Sequence, residues 1–453
     1  MNAREIGASD SPSRALDVFD AVDPDVLRSG IGSKKWRQTA PGVLSAGLAE
    51  MDFPVAEPIS EGLRRYLGRG ALGYPYWPDG SPVREVFAER MARRFGWHPQ
   101  PGPVREFATV TQGVHLAVHL GTEPGDAIAV HTPVYGPFRE GLARLGRRLL
   151  PIPLHDGPDG WTWDSGELAR QVADHGCRAL VLVNPHNPTG RVFTRAELLE
   201  LAELAERNDL LVISDEIHAD LTHAPHRHIP FASLSPEIER RTVTLTSATK
   251  AFNLAGLRCA VGHLGPARLR AAWDDQPVEL YGAANVLGVH ASLLAWTEGD
   301  AWLTAVREHL TRLRDRLAAG LAERLPQIGH HPPQGSYLAW LDCRALGWGA
   351  DPAARFRERG AVELGSGPGF GPGGDGFVRF NFATSGPLLE QLLDRLAETV
   401  EAGTGLAAGD ATAGIAPTTP RAVARRDIDT TSPSGTGSRR ECLPHALTGE
   451  PAC

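Results

Sequence analysis

The sequence predicts an α/β fold with a mainly parallel sheet, and two observations carry that expectation. From about residue 104 to 265, short β-rich runs alternate with helical stretches, and several of the β runs (ALVLVN, LLVIS) are apolar almost throughout. Alternation is the pattern of βαβ units. An unbroken apolar strand has both faces buried, which requires helices on either side of the sheet.

Taken in order, the strand candidates are Glu106–Thr111, Ala127–His131, Arg148–Pro153, Ala179–Asn184, Leu210–Asp215, Thr242–Thr246 and Cys259–Leu264, which predicts a seven-stranded sheet. Helical periodicity falls between them at Val114–Gly121, Gly166–His175 and Arg195–Arg207. A long helical region covers 284–325. SYLAWLD and GFVRFNFA then read as strands of a smaller α+β domain, closed by a helix near 387–402. The expected division is an N-terminal segment (1–60), a large domain (61–300), a small domain (301–402) and a tail (403–453). That tail is rich in Gly, Ala, Thr, Ser and Pro, has no periodic face to bury, and reads as disordered.

Composition narrows the function classes. A formal charge of −8 gives no reason to expect nucleic acid or an anionic membrane as partner. No apolar run approaches the ~18–20 residues that span a bilayer, and the first twenty residues lack the apolar core of a secretory signal. The five cysteines stand without CxxC or Cys/His pairing, which argues against a zinc site or disulfide framework and for a reducing cytoplasm. Of 46 basic residues, only Lys34, Lys35 and Lys250 are lysines. Arginine stays charged at any working pH. A lysine retained in such a chain is therefore a candidate reactive amine, or simply one of a few surface charges.

The strand ends hold the chemistry, because ligands of open α/β sheets sit at the carboxyl edge. One strand runs into NPHNPTG, where two prolines hold Asn187. The next ends in SDEIH, with Asp215 and His218, and a carboxylate there is costly unless it meets a cation. The third runs into TSATKAFNLAGLR, bringing Ser247, Lys250 and Arg258. Upstream, VTQGVHLA passes through Gly113 towards a helix start whose free N–H groups, at Gly113 and Val114, suit a phosphate. Singly, these are a turn, a helix cap and a turn glycine. Together they offer an amine for an imine, an acid for a pyridinium nitrogen, a donor for a phenolate oxygen and a phosphate cup, the set that pyridoxal 5'-phosphate (PLP) imposes.

The ordered series NPHNPTG, SDEIH, SATK and GLR resembles the fold-type I PLP enzymes of the aminotransferase class I/II superfamily, over roughly residues 30–402. SKKWR (33–37), AEMDFP (49–54), GYPYWP (73–78), TPVYGPF (132–138), the His of NPHNP, the His of DEIH and KAFNLAGL (250–257) are similar to its cystathionine β-lyase branch, the MalY/PatB-like C–S lyases. Arg258 is a departure towards the plain aminotransferase pattern.

The resemblance implies roles. Lys250 forms the Schiff base and takes the α-proton, and Asp215 pairs with the pyridine nitrogen. Asn187 donates to the ring's 3′ oxygen, while Tyr135 stacks on the ring. Gly113, Val114, Ser247 and Arg258 cradle the phosphate, and Tyr74 reaches the phosphate of a neighbouring subunit, which implies a homodimer with shared sites. Arg379 binds the substrate α-carboxylate. His218 stands where the superfamily has a tyrosine and is either a cofactor contact or a packed histidine. Trp36 and Asp52 are expected at the site entrance, and Lys34 and Lys35 as solvated charges. The implied activity is cleavage of L-cystathionine or a related L-cysteine S-conjugate to a thiol, pyruvate and ammonia, with an aminotransferase as the alternative. A non-catalytic regulator on the same fold would need a DNA-binding module, for which the ~30 residues before SKKWR are too few.

Overall fold

The computed structural model describes residues 18–29, 33–70, 72–277 and 281–409. Its large sheet has seven strands: β1 (Val104–Phe107), β2 (Ala127–Thr132), β3 (Arg148–Pro153), β4 (Cys177–Val183), β5 (Leu211–Asp215), β6 (Thr242–Thr246) and β7 (Ala260–Leu264). They lie in the order β1-β7-β6-β5-β4-β2-β3. Pairing is parallel from β6 to β3, and β7 is antiparallel to both its neighbours. The two faces are filled by alternate residues. Ala179, Val181 and Val183 of β4 join one core, and Leu180 and Leu182 join the other. This is why the strands read as continuous apolar runs.

The first strand departs from expectation. It ends at Phe107, and the helix that follows runs Val110–Gly121 rather than starting at Val114. Thr109 is the reason. Its backbone is extended and its hydroxyl accepts from the Gln112 amide at 3.0 Å, so it caps the helix. The region 284–325 forms two helices, Val286–Glu298 and Asp300–Arg324, broken at Gly299. A side chain at Gly299 would meet Ala295 O and Phe252 Cε1, each at 2.6 Å.

The smaller sheet holds β8 (Gly329–His330), β9 (Leu338–Asp342), β10 (Gly365–Ser366) and β11 (Phe377–Asn381) in the antiparallel order β8-β9-β11-β10. Near the N-terminus, Leu44–Ser45 pairs with Val362–Glu363, which ties the early segment to the last third of the chain. The closing helix runs Gly386–Gly409, past the expected end at 402. The expected tail from 410 onward lies outside the described residues. Among those described, no helix is long and apolar enough to cross a membrane, and no cluster of His, Cys, Asp and Glu is placed to hold a metal.

Candidate active site

Strand register sets the site. Val183 lies opposite Asp215, and Asp215 opposite Leu245, so the carboxyl ends of β4, β5 and β6 stand side by side. NPHNPTG, DEIH and SATK therefore leave the sheet at one edge. Asp215, the last residue of β5, is buried, and its carboxylate accepts one hydrogen bond, from the Ile217 amide at 3.1 Å. Burial first, then neighbouring Glu216, pushes its pKa up to about 7, against the pull of Lys250 and the Ile217 amide. Glu216, next in sequence, is equally buried but fully partnered. It meets Ser214 Oγ at 2.8 Å, His228 Nε2 at 2.9 Å and the Phe231 amide at 3.0 Å. Its role is to hold the loop that ends at Phe231.

Lys250 sits in the short helix Ala248–Ala251 and keeps part of its surface open to the site. Its Nζ donates to Ala49 O at 2.6 Å, and Tyr337 Oη donates to the same carbonyl at 3.1 Å. Desolvation, then the nearby Arg379 guanidinium, lowers the amine to about 8, with Glu50 and Asp215 pulling the other way. Arg379, on β11, is buried. Its Nη1 donates to Asn187 Oδ1 at 3.1 Å, its Nη2 to Gly47 O at 2.8 Å, and its guanidinium lies 4.9 Å from the Phe370 ring centre. Burial lowers it to about 10. Tyr135 caps the helix Gly136–Arg144. Desolvation raises its phenol, Arg379 and Arg258 oppose the rise, and Asp215 and Glu140 add to it. His218 is buried edge-on to Tyr337 at 6.0 Å, and burial beside Lys250 and Arg379 lowers it to about 3.

Asn187, Asp215, His218, Lys250, Tyr135 and Arg379 are thus brought together. Other expectations need correction. The Gly113 amide is not free, because it donates to Thr109 O at 3.1 Å, and Val114 is buried a turn inside the helix. Gly113 is glycine for packing: a side chain would meet Leu245 Cδ2 at 2.7 Å. With the helix starting at Val110, its uncapped amides are those of Val110 and Thr111. Ser247 is buried, with its hydroxyl 2.8 Å from Thr249 Oγ1 and 2.6 Å from Cys259 O, so it braces the Lys250 loop. Arg258 is exposed in a left-handed conformation at φ 54°. Tyr74 is fully exposed. Lys35 is no solvated charge. Its ammonium lies 2.8 Å from Asp52 with both side chains 1% exposed, and Trp36 Nε1 donates to the other Asp52 oxygen at 2.7 Å. Neither Trp36 nor Asp52 stands at an open entrance, since both are buried. Lys34 is exposed, as expected.

The residues fit PLP. The buried Asp215 carboxylate has no cation in contact among the described residues, as suits a partner for a protonated ring nitrogen. Arg379 Nε and His218 Nδ1 are buried without hydrogen-bond partners. The model of the family described as aminotransferase class I and II matches residues 85–396. The chain belongs to the class I and II aminotransferases. The cystathionine β-lyase PatB of Bacillus subtilis is 35% identical over 377 residues, covering 82% of this chain and 97% of PatB. Cystalysin from Treponema denticola, which contains a pyridoxal 5'-phosphate cofactor, superimposes with a TM-score of 0.79. It is 27% identical and covers 83% of this chain and 97% of its own. A PLP-bound putative aminotransferase from Clostridium difficile gives 0.79 at 29% identity, covering 85% of this chain and all of that one.

Within this member of the aminotransferase class I and II family, residue identity does not disclose the part that residues 47–53 play. Their backbone carbonyls meet both Lys250 and Arg379. In the sequence AEMDFP is only a family-like string, because a carbonyl acceptor leaves no mark on residue identity. A cavity of about 490 Å³ lies elsewhere, lined by Tyr76, Trp77, Arg84, Glu106, Trp273 and Tyr281. It contains none of the site residues above.

Proposed function

We propose that this enzyme is a PLP-dependent carbon–sulfur β-lyase that converts L-cystathionine or a related L-cysteine S-conjugate to a thiol, pyruvate and ammonia. The observation that carries the reading is Lys250, whose amine meets Ala49 O at the carboxyl edge of the sheet and is held near pKa 8 by burial, in a chain so similar to a cystathionine β-lyase along its length. PLP, when bound, supplies the electron sink for the charge left at the substrate α-carbon. Asp215 would hold the ring nitrogen, Asn187 the 3′ oxygen and Tyr135 the ring face. The amides of Val110 and Thr111, with Arg258, are the phosphate ligands we assign in place of Gly113 and Val114, while Ser247, whose hydroxyl donates to Cys259 O, braces the Lys250 loop.

Arg379 binds the α-carboxylate through the donors that Asn187 and Gly47 leave free, which fixes the α-hydrogen towards Lys250. A depressed amine pKa keeps Lys250 Nζ able to accept that proton near neutral pH. As the α-C–H pair moves into the Cα–Cβ bond, the C–S bond breaks and sulfur leaves with its electron pair. The three-carbon enamine that remains takes up water to give pyruvate and ammonia. Aminotransfer is the second reading, favoured by the likeness to the Clostridium difficile protein. The decisive experiment gives purified holoenzyme L-cystathionine and assays pyruvate in parallel with amino transfer to 2-oxoglutarate. Pyruvate without transfer supports the lyase, and transfer without pyruvate overturns it.

The working unit is a homodimer in which Tyr74 reaches the partner's cofactor phosphate. Support comes from Tyr74 and Tyr76, 103% and 84% exposed, with Tyr76 beside the 490 Å³ groove. Exposed aromatics of this kind mark interfaces. The cytoplasm is the compartment we assign, in keeping with the buried free thiols of Cys177, Cys259 and Cys343.

A further inference from the structure

The bent segment at residues 47–53 divides its carbonyls between two kinds of donor. Gly47 O receives Arg379 Nη2 at 2.8 Å, and Ala49 O receives Lys250 Nζ at 2.6 Å. The carbonyls between and beyond them turn the other way, to one amide. Asn381 Nδ2 donates to Leu48 O at 2.6 Å and to Glu50 O at 2.7 Å. The backbone N–H of Asn381 holds Ala46 O at 2.7 Å, and its Oδ1 accepts from the Ala383 amide at 2.8 Å. Asn381 is wholly buried and lies two residues from Arg379 on β11, so the two side chains share a strand face. Further along, Asn253 Nδ2 holds Met51 O at 3.0 Å and Phe53 O at 2.9 Å. A second, independent amide therefore anchors the same segment without flanking the two carbonyls that meet the cations.

We propose that Asn381 is a positioning residue, whose amide turns Leu48 and Glu50 back and so aims the Gly47 and Ala49 carbonyls at Arg379 and Lys250. This rests on the reading in which Arg379 takes the α-carboxylate and Lys250 the α-proton. Gly47 O occupies one arm of the Arg379 fork and leaves the rest for substrate. Ala49 O, shared with Tyr337, is the docking point of the Lys250 amine whenever that amine is free. A carbonyl acceptor favours the ammonium form, so losing it lowers the amine pKa. Several other groups act on the amine: Arg379, Glu50 and Asp215, with His218 and Tyr337 on the facing elements. Of these only Glu50 is itself held by the Asn381 amide, so its release would lower the amine pKa further.

The test uses the full chain with Asn381→Leu, and with the smaller, uncharged Asn381→Ala should the leucine variant not fold. Asn253→Gly is the control, since glycine accepts the left-handed φ of 57° found there. Two readouts are independent of pyruvate. One is the pH midpoint for PLP capture by cofactor-free protein, which reports the Lys250 amine. The other is the affinity of holoenzyme for L-alanine, read from its visible band. Both Asn381 variants are expected to move the midpoint to lower pH by roughly 0.5–1 unit, the equivalent of one hydrogen bond. L-Alanine affinity should fall about tenfold. Asn253→Gly should lower thermal stability and change neither. Wild-type midpoint and affinity in folded Asn381 variants would overturn the proposal, as would the same shifts in Asn253→Gly, which would make the effect general loosening. Absence of pyruvate from the wild type would overturn the lyase reading instead and leave these two measurements standing.

Discussion

Lys35 and Lys250 are both enclosed by protein, yet they sit in opposite environments. Lys35 faces Asp52 at 2.8 Å, with both side chains 1% exposed, and Trp36 completes the carboxylate's hydrogen bonding. Lys250 meets only neutral oxygen directly and keeps a surface open to the site, and burial, then nearby Arg379, depresses it to about 8. A matched buried charge is fixed and inert, whereas a poorly matched one can lose its proton and react. The two carboxylates of the DEIH motif repeat the contrast. Glu216 has three partners, and Asp215 has one backbone amide and a pKa raised to about 7. Unmatched charge gathers at the carboxyl edge of β4, β5 and β6, and matched charge surrounds it.

The sharpest break of this comparison exchanges the two lysines' fates. Lys250→Ala should abolish the visible cofactor band and lower pyruvate formation by at least ~10²–10⁴-fold, the share of a positioned base, while Lys35→Met keeps the band. Borohydride reduction and peptide mass spectrometry should place the cofactor on Lys250, and an adduct on Lys35 would reverse the assignment.

Lys35→Met leaves Asp52 buried without its cation. Denaturant unfolding should show a loss of about 3–5 kcal/mol, with most of it recovered in Lys35→Met/Asp52→Leu. A single variant as stable as the wild type would mean that the pair is not enclosed in solution.

Asp215 sharpens the comparison through pH. Its folded pKa, about 7, stands above the ordinary carboxylate value. In cofactor-free protein its contribution to stability is therefore fully present below about pH 4 and is lost as pH rises through 7. Asp215→Asn removes that loss. The variant should be more stable than wild type by about 2–4 kcal/mol at pH 8 and equal to it near pH 4. Equal melting at both pH values would show that the carboxylate is well solvated or paired. The smallest effect belongs to Tyr74→Phe, which removes one hydroxyl and should weaken PLP binding by about 1 kcal/mol. Unchanged affinity would remove the contact across subunits, though not the dimer.

The sequence by itself determined the strand order along the chain, the parallel sheet and the strand-end residues. Periodicity, apolar runs and the spacing of NPHNPTG, SDEIH and SATK are local properties written in residue identity. The helix Arg195–Arg207 was legible to its ends from its periodicity, and Thr194 and Glu197 close its start with a capping box. The start of the Val110–Gly121 helix was not, because a threonine inside an apolar run serves as strand residue or cap, and only its φ of −151° and its bond to Gln112 decide. Composition could count three lysines but could not say which were solvated. Lys35 and Asp52 are 17 residues apart, and their burial depends on what the rest of the chain places over them. The carbonyls of Gly47 and Ala49 escaped altogether, since every residue carries one. Only the tertiary structure, bringing Arg379 and Lys250 across 332 and 201 residues of chain to the same short segment, selected those two as acceptors.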